Sequence, residues 1–232
     1  MANKKNKKYF IRFLGLITLF LIIGAFTYFK FFYNPVEKHD TLNYQSQKYY
    51  STGFFTPNSN MKNEFIDASL ISRPNKGEVK EIWKLNTISS KKLIITKNSD
   101  NSFITWTNRK IDTAKEALEF LNPQFLQYRV YDKKGTFETS QLKNTSENNQ
   151  KRIVASLKKV VSNRPKYRLV TNLGADKSYV STNEIYLFAD ANESISMQAS
   201  LSRKSGEVYL EFAGEENLSY WKVIPDNLRN LK

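Results

Sequence analysis

Cysteine is absent from the 232 residues, and histidine occurs only once, as His39. Without cysteine the chain can form no disulfide, no thiolate nucleophile and no cysteine-ligated metal site. A single histidine cannot supply a multi-histidine zinc site, and we interpret His39 as a solvated linker residue. The eight glycines form no glycine-rich phosphate loop. We therefore expect no metal and no cofactor.

Acidic residues are scarce relative to basic ones, which gives a formal net charge of +14 and an isoelectric point near 9.7. The first twelve residues contain no acid and five basic side chains, which are Lys4, Lys5, Lys7, Lys8 and Arg12. A basic tail before an apolar segment follows from the rules of membrane topology, so we expect no nucleic acid partner. The aromatic content of 14% indicates that the chain beyond this tail is folded.

Residues 13–29 carry no charge, and this run predicts a transmembrane helix over residues 10–32. Arg12 and Lys30 fall inside the longer range because their side chains can extend toward the lipid headgroups. Lysines precede the segment and few follow it, which predicts a cytoplasmic basic tail at 1–9 and an extracytoplasmic bulk. The alternative is a cleaved signal peptide, for which Ala25-Phe26-Thr27 is a poor cleavage site. We therefore expect a single-pass, signal-anchored protein of the cell membrane.

The chain after the apolar segment divides into a polar stretch and a longer patterned region. Asn34-Pro35 ends the helix, and we interpret residues 33–61 as a linker or stalk with one short strand near 48–55. Residues 62–232 then form the extracytoplasmic domain, which we expect to fold without the apolar segment. A eukaryotic secreted domain of this size would usually contain disulfides, so the lack of cysteine favours a bacterial envelope protein.

Two amphipathic helices are predicted within that domain. The first has Asp112 as its cap, ends at Asn122-Pro123, and has an apolar face of Ile111, Ala114, Leu118 and Leu121. The second has Ser146 as its cap, ends at residues 163–165, and has an apolar face of Ile153, Val154, Leu157, Val160 and Val161. This spacing is typical of helices that pack on a sheet.

Predicted strands surround the helices at 92–96, 103–107, 125–131, 167–171, 185–189, 195–201, 208–212 and 220–224. Residues 78–85 fit a helix and a strand equally well, and residues 203–206 are predicted to form a hairpin turn. The expected fold class is α+β, an antiparallel sheet with two packed amphipathic helices. A long helix followed by an antiparallel meander is also the arrangement of cystatin-like and related cone-shaped folds, which we expect for the C-terminal half.

Three short patterns occur in the order found in serine β-lactamases and penicillin-binding proteins. They begin at Ser156 (S-x-x-K), Ser181 (S-x-N) and Lys204 (resembling K-T-G). We interpret the match as accidental, because the gaps leave no room for the helical subdomain of those enzymes. Ser156 also falls late in its predicted helix, whereas the enzymes place their nucleophile at a helix start.

Two further sets of polar residues could suggest chemistry. Asp190, Asn192 and Ser194 match the first ligands of a calcium loop, but the glycine and the distal glutamate are missing, which favours a turn. The glutamates at 207, 211, 215 and 216 could suggest paired carboxylates. Glu207 and Glu211 alternate with apolar residues and are more simply the wet face of a strand. We therefore predict no catalytic residue.

Basic side chains concentrate in and after the second predicted helix. The candidate anion-binding or partner-binding residues are Lys151, Arg152, Lys158, Lys159, Arg164, Lys166 and Arg168. The first four fall nearly opposite the apolar face, so they should point outward. A solvated face that keeps the protein soluble is the simpler interpretation. The alternative is a contact for anionic lipid, wall polymer or an acidic protein.

These features favour a membrane-anchored, non-enzymatic scaffold or assembly subunit of a bacterial envelope complex, of the secretion or conjugation type. Its expected partners are the lipid bilayer and other envelope proteins. One alternative is a regulatory or immunity-type protein that binds a sensor or a toxin. Another is a carboxylate enzyme that acts on cell-wall sugar.

Overall fold

The computed structural model describes residues 15–25, 27, 36–38, 40–60, 64–130, 142–144, 146–163, 180–204, 207–214 and 220–223. These residues form an α+β fold with antiparallel sheets, one of them a half-barrel. The predicted strand at 167–171 and His39 lie outside the described residues.

The described helices are α1 (residues 15–25), α2 (Ala114–Leu121) and α3 (Glu147–Asn163). The strands are β1 (Val36–Lys38), β2 (Thr41–Tyr44), β3 (Gln47–Thr52), β4 (Thr56–Pro57), β5 (Ala68–Ser72), β6 (Val79–Leu85), β7 (Leu93–Asn98), β8 (Phe103–Thr107), β9 (Phe125–Val130), β10 (Leu142–Asn144), β11 (Val180–Phe188), β12 (Ile195–Lys204), β13 (Glu207–Phe212) and β14 (Tyr220–Val223).

Helix α1 falls inside the apolar segment predicted to cross a membrane. Across the residues that the structure describes, no helix combines the length and the apolar composition that a membrane crossing needs.

The first sheet has the strand order β1-β2-β3-β8-β7-β6-β5. Residues 78–85, which were ambiguous in the sequence, form strand β6, with an irregularity in its pairing to β7 between Val79 and Glu81. The predicted strands near 92–96 and 103–107 are confirmed as β7 and β8, which are antiparallel neighbours.

The structure corrects the interpretation of residues 33–61 as a stalk. Strands β1 to β3 lie in the first sheet and β4 pairs with β12 in the second. This region buries five large side chains, namely Leu42, Tyr44, Tyr49, Phe54 and Phe55. The strands between residues 36 and 57 are therefore part of the folded domain, since their apolar and aromatic side chains contribute to its buried clusters.

The second sheet has the strand order β10-β9-β11-β12-β13-β14. Its last four strands are consecutive in the chain and antiparallel, which confirms the predicted meander after the second helix. Lys204 pairs with Glu207, so β12 and β13 form the predicted hairpin, while Ser205 and Gly206 lie outside the described residues.

Helix α2 is capped one residue later than predicted. The Oγ1 atom of Thr113 accepts a hydrogen bond from the backbone N–H of Glu116, whose carboxylate accepts one from the backbone N–H of Thr113. This reciprocal pair is a capping box, so Thr113 is the N-cap instead of Asp112. The helix ends at Asn122, as predicted, and Asn122 adopts the left-handed conformation.

One hydrophobic core is shared by the two sheets, and a second, smaller cluster around Trp106, with Leu42, Tyr44 and Tyr49, belongs to the first sheet. Residues from β6 and β7 pack with the buried faces of α2 and α3 and with the second sheet. The backbones of Gly53, after β3, and Gly214, after β13, also meet closely. Helix α3 contacts β9 and β14 of the second sheet, with one face toward the core and the other toward solvent.

Candidate functional site

Helix α3 has one buried and one exposed face, as predicted. Ile153, Val154, Leu157 and Val160 are buried, and Val161 is half-buried against the same core. The opposite side carries four basic residues, which we call the α3 basic face: Lys151, Arg152, Lys158 and Lys159. Three of them are exposed and Lys158 is half-exposed. The other three candidates, Arg164, Lys166 and Arg168, lie outside the described residues.

Two of these lysines are held in place by neighbouring side chains. The Nζ atom of Lys151 lies 2.6 Å from Oε1 of Glu147, one helical turn earlier. This hydrogen bond, together with the positive charge, lowers the pKa of the Glu147 carboxyl from its ordinary value. The Nζ atom of Lys158 donates a 2.9 Å hydrogen bond to Oδ1 of Asn122. Since an ammonium group has three N–H donors, both lysines keep donors for a further acceptor.

An open cavity of about 190 Å³ lies between these two lysines. Its lining residues are Pro123, Gln124, Lys151, Val154, Ala155 and Lys158. The wall opposite α3 is fixed, because the backbone N–H of Gln124 donates to the carbonyl of Phe188 and its side chain donates to the carbonyl of Asn122. The cavity thus combines two ammonium groups with apolar carbon surface, which suits a small anionic group attached to an apolar body.

Sequence reasoning found the lysines but missed the other wall of this cavity. Asn122-Pro123 was interpreted only as the end of a helix. Residues 122–124 lie next to α3 because α2 and α3 pack together. No local sequence pattern predicts this contact between the two helices. An asparagine in the left-handed position is a known helix ending, but its further use as a lysine partner depends on the tertiary fold.

The calcium-like residues form the connection between β11 and β12. The carboxylate of Asp190 accepts hydrogen bonds from the hydroxyls of Thr87 and Ser194 and from the backbone N–H of Asn192. These bonds support the interpretation as a strand-connecting turn, and the one from Thr87 also joins this turn to the connection between β6 and β7. In the described ranges, no group of three acidic, histidine or cysteine side chains could hold a metal ion.

The carboxylates of β13 lie on the solvent-facing side of the strand, as predicted. Val208, Leu210 and Phe212 are buried, while Glu207 and Glu211 are half-exposed between them. The hydroxyl of Tyr209 donates a 2.6 Å hydrogen bond to Oε2 of Glu207. Glu215 and Glu216 lie outside the described residues.

The residues of the β-lactamase-like pattern fall in three different elements. Ser156 is half-exposed in the second half of α3, Ser181 lies near the start of β11, and Lys204 ends β12. Ser156 is therefore not at the start of a helix, in agreement with the objection drawn from the sequence.

Comparison with protein-family models, curated proteins and solved structures gave no significant match.

Proposed function

We propose that this chain is a membrane-anchored, non-enzymatic scaffold or assembly subunit of a cell-envelope complex. In this proposal residues 10–32 cross the cell membrane once, the basic tail at 1–9 is cytoplasmic, and the remaining mass lies outside. The observation that carries the proposal is the exposure of α1. Its seven large apolar side chains, at positions 16, 17, 19, 20, 21, 22 and 23, are between 42% and 71% exposed.

Such a surface is unfavourable in water, because exposed apolar area costs roughly 25 cal/mol per Å². A lipid bilayer removes this cost without any protein partner. The hydroxyl of Thr27 also fits an apolar environment, since its Oγ1 atom donates a 2.8 Å hydrogen bond to the carbonyl of Ile23. A polar group satisfied within its own helix is what a lipid-embedded segment requires.

The proposed scaffold role is supported by the way the domain uses its polar side chains. Asp190 and Glu207, which could have suggested chemistry, are engaged in hydrogen bonds within or next to strand connections. We also propose that the C-terminal half is a cystatin-like, cone-type fold. In support, α3 packs against β9 and β14, and the meander β11 to β14 follows it in the chain.

The topology can be tested with single cysteines, since the natural chain has none. Ser99→Cys places a thiol at an exposed residue in the connection between β7 and β8, and Asn3→Cys places one in the basic tail. We expect an impermeant maleimide to label Ser99→Cys on intact cells, or on spheroplasts where an outer membrane is present. It should label Asn3→Cys only after lysis, because the bilayer blocks the reagent.

The cysteine-free chain is the control for background labelling, and lysed cells show that both thiols are reactive. Labelling of Asn3→Cys but not of Ser99→Cys on intact cells would reverse the orientation and contradict the proposal. Labelling of both before lysis, in cells that stay intact, would also contradict it.

A further inference from the structure

The folded domain begins very close to the end of the proposed membrane span. The span ends at residue 32 and β1 begins at Val36, where it pairs with β2 in the first sheet. Four Cα steps cover at most about 14 Å in a fully extended chain. This distance is less than two Debye lengths at physiological salt, since one such length is about 8 Å. Without a stalk, one side of the domain must therefore face the lipid headgroups.

The charges of the two described helices of the domain suggest which side this is. In α3 the four residues of the α3 basic face are accompanied by one acid, Glu147. In α2 the exposed or half-exposed charges are Lys115, Glu116 and Glu119, and Lys115 lies 4.0 Å from Glu119 in an ion pair. The exposed side of α3 is thus complementary to a negatively charged surface, and that of α2 is not.

The cavity on the α3 basic face favours a lipid over a hydrated polymer. Lys151 and Lys158 line the same opening as Pro123, Val154 and Ala155. A headgroup phosphate could accept hydrogen bonds from the two ammonium groups, while the adjoining glycerol carbons cover the apolar part of the lining. A fully hydrated polyanion would gain from the charges alone.

From the short tether, the charge of α3 and the mixed lining of the cavity, we infer that the α3 basic face seats the domain on the membrane. It does so by binding the phosphate groups of anionic lipids, and the cavity between Lys151 and Lys158 takes one headgroup. This inference rests on the proposed membrane anchorage.

The test uses the full chain in lipid nanodiscs, with an environment-sensitive dye on Ser162→Cys. Ser162 is exposed and continues the helical line through Ala155 and Lys159. The discs contain phosphatidylcholine alone or a mixture with phosphatidylglycerol, and brominated lipids quench the dye on contact. We expect quenching at Ser162→Cys to be at least about twofold greater in the anionic discs and to fall when salt is raised, because exposed charges are screened. The same dye on Ser99→Cys should not show this dependence.

Substitution of Lys151, Arg152, Lys158 and Lys159 by serine should abolish the extra quenching. A matched control removes four exposed lysines elsewhere, Lys76, Lys80, Lys91 and Lys92, and should retain it. If the serine variant does not fold, arginine at positions 151, 158 and 159 preserves the charge and should preserve the lipid dependence. If the serine variant does not fold, the salt dependence of quenching in the unsubstituted chain tests the inference in its place.

Equal quenching in neutral and anionic discs would overturn the inference. An equal loss in the matched control would also overturn it, because the effect would then follow net charge alone. If soluble polyphosphate changes the dye signal and abolishes the extra quenching in anionic discs, the α3 basic face binds a polymer instead. Elution of the chain with the nanodiscs is measured in the same samples. A chain that does not enter the discs contradicts the proposed anchorage, whereas a chain that enters without lipid-dependent quenching contradicts only this inference.

Discussion

Substitution of Gly214 by alanine is expected to destabilise the domain by about 3–5 kcal/mol, or to prevent folding. Gly214 has a φ of +93°, in the region that L side chains rarely adopt. A Cβ at this position would lie 2.5 Å from the carbonyl carbon and oxygen of Gly53 and 2.6 Å from the backbone nitrogen of Phe54. The added methyl group would therefore have to displace backbone, and the displaced segment carries Phe54 and Phe55 into the core.

Gly77→Ala is the matched control for this prediction. Gly77 has nearly the same φ, +89°, but a Cβ there would meet nothing within 4 Å. This variant should lose only the cost of the left-handed conformation, about 1–2 kcal/mol. Urea unfolding of both variants, followed by tryptophan fluorescence, gives the two free energies of unfolding. Equal losses for the two variants would show that the approach of Gly53 and Gly214 is unimportant for stability.

A chain that begins at Met61 is expected to lose cooperative folding, whereas a chain that begins at Asn34 should preserve it. The shorter chain loses β1 to β4, and with them the pairing of β3 with β8 next to the fully buried Trp106. It also loses the buried side chains of Leu42, Tyr44, Tyr49, Phe54 and Phe55. At roughly 1.5–3 kcal/mol for each buried side chain, this loss is comparable to the whole stability of a typical domain.

Near-ultraviolet circular dichroism and thermal unfolding of the two truncated chains measure this difference. The chain from Asn34 should show fixed aromatic signals and one cooperative transition. A cooperative transition in the chain from Met61, at a similar midpoint, would restore the linker interpretation of residues 33–61.

The patterned part of the sequence predicted α2, α3 and the strands of the meander because their apolar residues are periodic, but it did not predict the division into two sheets. The apolar residues of α3 recur over most of its length, and Val208, Leu210 and Phe212 alternate through β13. In each of these elements one face is buried against the core, so the period of the apolar residues reports the structure directly.

Residues 36–57 could not be interpreted in the same way, because their strands are short and their neighbours are distant in the chain. Strand β2 has only four residues, of which Leu42 and Tyr44 are buried, and two positions do not establish an alternation. Strand β3 joins the rest of the first sheet by pairing with β8, which lies about fifty residues further along the chain. A local pattern carries no information about such a pairing, so polar composition suggested a stalk instead.

The candidate site was predictable in its charge but not in its shape. The spacing of basic and apolar residues in α3 was enough to place Lys151 and Lys158 on an exposed face. The cavity also needs Gln124 and the Asn122 side chain, which the packing of α2 against α3 brings into contact with the lysines. Tertiary contacts of this kind join elements whose local sequences give no sign of each other.

Alkaline extraction of membranes that contain the full chain tests the membrane anchorage most directly. Carbonate at high pH releases proteins held on a membrane by charge but leaves those whose apolar helix lies in the bilayer. We expect the full chain to stay in the membrane pellet and the chain from Asn34 to be recovered in the supernatant. Release of the full chain into the supernatant would contradict it.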